Sequence, residues 1–405
     1  MAKHDNTSAL PVIIAVAIAS VIGINQYHYG MWNQYISIPW LIDLLRPELY
    51  ANDPLIAQRE FSPALYNPML AGLSRIFSGD LALMHFVIYL VTLFFTIYSF
   101  YRLSYGIFRD QKAAIFGLVL LAFSFPVIGD VFLWDSLLME RTLALPFMIF
   151  SIHYTLRKRW LLAVLLQGLA FNLHPLSAIH VAAASWVAVM VWQGLKFNYI
   201  KYWPLFVVLA LPTLYLKFSH KSDLSMLAMS QEWLEIMQIR NAHHTFPGSF
   251  PPTMFLKAAL MLAVPPLLVA FKKFTQPNRT YFWGYALAVF LLFTIGFVFT
   301  ELIPVTLIIQ LQFFRSFSFF AILTIVLWSG VFYQKRDAVT LLIGLAVFAQ
   351  YFYGAWPKTI GALGLIFFTL FLLNRSAKYP RLKSVGAPVL ILLVGLGAYL
   401  QRGGL

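Results

Sequence analysis

The residues able to do chemistry gather beside long apolar runs. Between His28 and Asp80 stand Asp43, Glu48, Asp53 and Glu60, and Asn52-Asp53-Pro54 is a turn former that presents its carboxylate at a loop apex. The stretch GDVFLWDSLLMERT holds Asp130, Asp135, Glu140 and Arg141; Asn172-Leu173-His174-Pro175 holds His174, with His180 just beyond. EWLEIMQIRNAHHTFPGSFPP supplies Arg240, His243 and His244, and Glu301 and Arg315 flank an apolar stretch. A carboxylate in such a set could take a proton as a general base, and a guanidinium with an imidazole suits a lipid phosphate, gripped through paired charge-assisted hydrogen bonds.

Each has a plainer reading. Loop carboxylates can form ordinary surface ion pairs with Arg46, Arg59 or Arg75, and turn chemistry alone accounts for Asp53. His243-His244 is a poor metal pair, because neighbours on an extended segment point to opposite sides, so no metal site is assigned. Cofactors are not required, although a divalent cation stays open. Arg315 is the hardest to dismiss: it precedes a run that must enter the membrane, where a cation needs a partner, either Glu301 or a substrate phosphate.

What must position these residues is a membrane bundle. Of 405 residues 60% are hydrophobic and 11% charged, and mean hydropathy is +0.77, so the expected fold is all-α, a single polytopic domain over 1–405 with about 13 transmembrane helices. Two large outer loops are expected, 28–80 and 219–252. In the first, Ile36, Trp40, Leu41 and Leu44, then Leu65, Met69, Leu70, Leu73 and Phe77, recur at helical spacing, which predicts two amphipathic surface helices cut into short pieces by prolines.

The net charge of +14 does not point to nucleic acid, because the basic clusters fall between apolar runs, as at Arg102 to Lys112, Arg157 to Arg159 and Arg375 to Lys383. Such loops are cytoplasmic by the positive-inside rule. That puts the N-terminus in the cytoplasm and leaves Asp5, Asp110 and Asp337 as the only cytoplasmic acids among fifteen. The one-sided acids point to a site facing outward, in a bacterial cytoplasmic membrane. With no cysteine in the chain, no thiol chemistry is available.

The segments NQYISIPWL, YANDPLIAQ, IRNAHHTFP and LQFFRSFSF, with the order of elements around them, resemble poorly characterised bacterial members of the C-type glycosyltransferase superfamily (GT-C). The resemblance implies a membrane enzyme that takes a sugar from a polyprenyl-phosphate-linked donor and passes it, with inversion, to a glycan, lipid or protein acceptor. Many such enzymes carry an acidic pair soon after the first span. Here the comparable position is Asn33-Gln34, which leaves the base to Asp53, with Asp43 and Glu60 as substitutes. The resemblance also implies that Arg240, His243, His244 and Arg315 hold the donor phosphate, with Asp135, Glu140, Arg141, His174 and Glu301 lining the site. A flippase for lipid-linked sugars, or a non-catalytic partner in envelope polysaccharide assembly, is the alternative.

Overall fold

The computed structural model describes residues 9–57, 65–194, 197–219, 230–270, 278–335 and 340. The helices are α1 (Leu10–Ala19), α2 (Gln34–Leu45), α3 (Pro54–Ala57), α4 (Tyr66–Ser74), α5 (Leu81–Phe108), α6 (Gln111–Ala122), α7 (Glu140–Leu156), α8 (Trp160–Leu173) and α9 (Pro175–Gln193). They continue with α10 (Phe197–Ile200), α11 (Trp203–Ser219), α12 (Gln231–Arg240), α13 (Ala242–Thr245), α14 (Pro252–Ala270), α15 (Arg279–Phe297), α16 (Thr306–Leu311) and α17 (Phe317–Lys335). Among the described residues the one sheet is a two-residue hairpin, β1 (Pro126–Val127) on β2 (Val131–Phe132). The fold is all-α.

Local chemistry starts these helices where it should. Asp80 Oδ1 accepts the Leu83 N–H at 2.9 Å and caps α5, and Asp110 Oδ1 accepts from Lys112 at 2.9 Å and Ala113 at 3.1 Å to cap α6. Inside the apolar helices, hydroxyls donate to their own turns: Thr96 to the Thr92 carbonyl, Thr155 to Ser151, Thr324 to Phe320. That pattern removes a polar group without water, as lipid surroundings require.

Four helical stretches among the described residues are long and apolar enough to cross a membrane: Leu81–Phe108, Pro175–Gln193, Arg279–Leu302 and Thr306–Lys335. Five further apolar helices are shorter. The spans expected at 338–353, 357–373 and 386–400 lie outside the described residues apart from Thr340. Every residue of α17 from Phe317 to Tyr333 is buried, which makes it the central helix, as an all-round apolar helix should be. By contrast α5, α11 and α15 present exposed Val91, Phe95, Val208, Leu211, Phe290 and Leu291, a surface suited to lipid.

Helices are present where two were expected, as α2 and α4, and they pack on each other, but the expected apolar residues Leu44 and Leu65 are exposed. Pro39 does not divide the first, as its spacing suggested; it lies inside α2. A proline within a helix forfeits one backbone hydrogen bond, and α2 keeps its course on either side by burying Gln34, Ser37, Leu41 and Asp43.

The bundle has two chemically distinct ends. Helices α5 and α7 run in the same direction: the Tyr89 hydroxyl near the start of α5 donates to the Asp135 carbonyl just before α7, while Arg102 and Arg109 at the far end of α5 act electrostatically on Arg157 after α7. The 17 residues of α7 separate these ends by about 25 Å. We call them the hairpin end and the arginine end.

Candidate functional site

The segment from Phe123 to Met139 is a buried connection, so its polar groups have to be satisfied from within. Ser124 Oγ donates to the Trp134 carbonyl at 2.7 Å and accepts the Trp134 N–H at 3.2 Å, and the Trp134 indole donates to the Leu121 carbonyl at 3.0 Å. Gly129 and Asp130, at φ +77° and +50°, turn the hairpin. The segment thereby delivers Asp135 to the mouth of α7.

There Arg141 and Asp135 form a buried two-pronged ion pair. Arg141 Nη2 donates to Asp135 Oδ1 at 2.5 Å, Nε to Oδ2 at 3.1 Å, and Nη1 to the Phe132 carbonyl at 2.7 Å. The Thr142 hydroxyl lies between Asp135 Oδ2 at 3.3 Å and the Leu137 carbonyl at 3.0 Å. Glu140 adjoins the pair, and its carboxyl is pushed above the usual range by burial first and by the Asp135 charge as well.

A second cation shares this setting. Arg315 stands on the short turn Phe313–Ser316, entered through Gln312 at φ +48°, and it feels both the Arg141 and the Asp135 charges. Its Nε is buried without a hydrogen-bond partner among the described residues. One carboxylate already forked by Arg141 is thus the opposite charge acting on two guanidiniums. Imidazoles complete the surroundings. His174 Nδ1 accepts the Ser177 N–H at 3.2 Å, capping α9, and this ring lies within the fields of Arg315 and Arg141. His180 Nε2 meets the Leu311 carbonyl at 2.9 Å, so it is the donor nitrogen, and its Nδ1 is left buried with no partner among the described residues.

His244 Nδ1 donates to the Gly129 carbonyl at 2.6 Å, and the ring is held neutral down to about pH 4, by burial first and then by Arg315. On these same elements, Thr245 Oγ1, Gln312 Oε1 and Ser316 Oγ are further buried polar atoms with no partner among the described residues. Helices α7, α9 and α17 begin here while α6 and α8 end here, so the helix-end charges largely offset one another and the positive character comes from the two guanidiniums. The arrangement is built to attract an anion.

The structure therefore brings together Asp135, Glu140, Arg141, His174, His244 and Arg315. Glu301 reaches the same neighbourhood differently: its carboxylate accepts the Gly248 N–H at 2.5 Å and holds the turn after α13. His243 is exposed, with its ring 3.9 Å from that of His244. The two histidines are not on an extended segment with opposed side chains; they share the helical turn α13, with their rings in close tilted contact. Arg240 is exposed at the end of α12.

Asp53 is tied to its own turn, with Oδ1 accepting the Ile56 N–H at 3.3 Å at the head of α3. Asp43 is not a solvated loop charge: it is buried on α2. Glu60 lies outside the described residues. Thr245, Gln312 and Ser316 are not among the residues expected at the site, although Gln312 close to Arg315 in an apolar run was a usable signal. No protein-family model, curated protein or solved structure matches this chain.

Proposed function

We propose that the chain is an integral membrane glycosyltransferase of GT-C type, with about 13 spans and the hairpin end facing out of the cytoplasm. The donor is a sugar on a polyprenyl phosphate. What carries this reading is Arg315: a partly buried guanidinium whose Nε has no partner among the described residues, beside a like charge and sharing its one opposing carboxylate with Arg141, a setting that an additional anion would stabilise. Arg315 and Arg141 stabilise the departing lipid phosphate, while the neutral imidazoles of His174 and His244 border it without adding charge.

Glu140 is the general base in this reading, in place of Asp53. Its carboxyl is shifted upward toward the working pH, which favours proton abstraction from an acceptor hydroxyl as that oxygen attacks the anomeric carbon. The proton passes to the carboxylate, and the lipid phosphate leaves with the bonding electrons. Asp53 is spoken for by the turn it caps.

The test is made in nanodiscs, with binding of a polyprenyl phosphate and transfer from the lipid-linked sugar measured separately. Arg315→Lys keeps the charge and loses the planar fork, so binding should weaken by about tenfold or more. Glu140→Gln should cut transfer by about 100- to 10,000-fold with binding intact, and Asp53→Asn should not. Unchanged binding in Arg315→Lys sinks the phosphate site. Binding without any transfer makes the protein a transporter or an assembly partner. Single cysteines placed at Arg157 and at Ser249 test orientation: an impermeant thiol reagent should reach only the second in intact cells.

A further inference from the structure

The turn from His28 to Asn33, between α1 and α2, is built more expensively than a connection needs. Gly30 adopts φ +68° and Trp32 φ +51°, and a bulky aromatic residue enters that region only when its surroundings force it. The residues on either side of Trp32 are tied down. The His28 N–H donates to the Ser136 carbonyl at 2.9 Å, and the Gly30 N–H donates to Gln34 Oε1 at 2.7 Å. Gln34 Nε2 then donates to the Leu138 carbonyl at 2.8 Å, an oxygen that also accepts the Tyr66 hydroxyl at 3.3 Å. Gln34 is fully buried.

A carboxylate at position 34 would accept from Gly30 but would turn a second acceptor toward the Leu138 carbonyl, with no proton between them. The position therefore demands an amide. It bolts the turn to the very segment that bears Asp135 and leads into Glu140 and Arg141.

What the turn holds out is an aromatic face. Trp32 is 53% exposed, with the His28 ring 6.2 Å from its own; Tyr29, whose ring packs on His85, and Tyr35 are exposed three residues to either side in sequence. We propose that Trp32 and His28 form a subsite for one sugar ring of the acceptor, next to the phosphate-attracting cluster. The apolar C–H face of a pyranose would lie on the indole, and its hydroxyls would reach the imidazole and the tyrosine hydroxyls, the division of labour that amphipathic aromatics allow. An aromatic residue that merely anchors a protein at a lipid headgroup needs neither a left-handed backbone nor a buried amide tying it to the site segment. The word acceptor rests on the transferase reading; the sugar subsite itself does not.

The protein in nanodiscs is labelled with fluorotryptophan, and the Trp32 resonance is assigned by its disappearance in Trp32→Phe. It is titrated with soluble oligosaccharides of gluco, manno, galacto and arabino configuration. At least one should shift the Trp32 resonance, and Trp32→Ala should weaken its binding by about tenfold while polyprenyl-phosphate binding is unchanged. Gln34→Glu should weaken the sugar similarly although Trp32 is still present, because the turn is released. A Trp32 resonance untouched by every oligosaccharide, or broadened by a headgroup spin label, overturns the subsite. If Arg315→Lys keeps full phosphate binding while Trp32 still answers to sugar, the transferase reading falls and the subsite stands.

Discussion

The two ends of α7 carry the same kind of charge under opposite conditions. At the arginine end, Arg102, Arg109, Arg157, Lys158 and Arg159 are exposed. Arg157 is lowered from the usual guanidinium range by partial burial and then by the like charges of Arg109, Arg102 and Arg159. Aromatic faces steady some of them: the Arg102 guanidinium sits 5.7 Å from the Tyr98 ring and the Lys158 ammonium 5.3 Å from Trp192. At the hairpin end, Arg141 and Arg315 are withdrawn from solvent, and every charge needs a named neighbour. Exposed cations are individually replaceable, because solvent screens them. Buried ones persist where a partner or a ligand makes them worth keeping.

The sharpest way to break this contrast is to remove the one carboxylate that forks Arg141. Asp135→Asn leaves that guanidinium uncompensated in a buried site and should cost about 3–5 kcal/mol, read as thermal unfolding in detergent. A loss no greater than that of an arginine-end variant would mean that the pair is effectively solvated. Arg315→Ala comes next and separates holding a ligand from holding the fold. Because a like charge adjoins Arg315 and its Nε has no partner among the described residues, stability should stay within about 1 kcal/mol of wild type or rise, while phosphate binding is lost. A large destabilisation would make Arg315 structural.

A smaller effect belongs to His244. Its imidazole has an ordinary value of 6.5 and a folded value of about 4, so between those limits the unfolded chain binds the proton and the folded one does not. Stability is complete above about pH 6.5 and falls as pH drops toward 4. His244→Gln should flatten the decline in melting temperature between pH 7 and pH 5; an unchanged slope assigns the pH response elsewhere. Smallest of all, Arg157→Gln should move stability by no more than about 0.5 kcal/mol, and upward if repulsion at that end is felt.

How far each region was legible follows from the range of its interactions. Residue types and their spacing alone determined that this chain is all-α, that it carries helices long and apolar enough to cross a membrane, and that helices form at α2 and α4, because hydropathy and helical period are local properties. They also singled out Arg315, since a cation entering an apolar run is anomalous without any partner being known. Tertiary structure decided which of the outer residues meet. Asp135 and Arg141 are close in sequence, but Arg315 and His244 arrive from the far side of the chain through α17 and the turn α13, and nothing in their spacing records that.

The same holds for the two amides at Asn33 and Gln34, which looked like a lost acidic pair. Only the fold shows that Gln34 must donate to Leu138 while accepting from Gly30, a requirement set by groups 104 residues apart and 4 residues apart at once. Long-range burial, where each polar atom has to find its partner inside, is what a linear pattern of residues cannot carry.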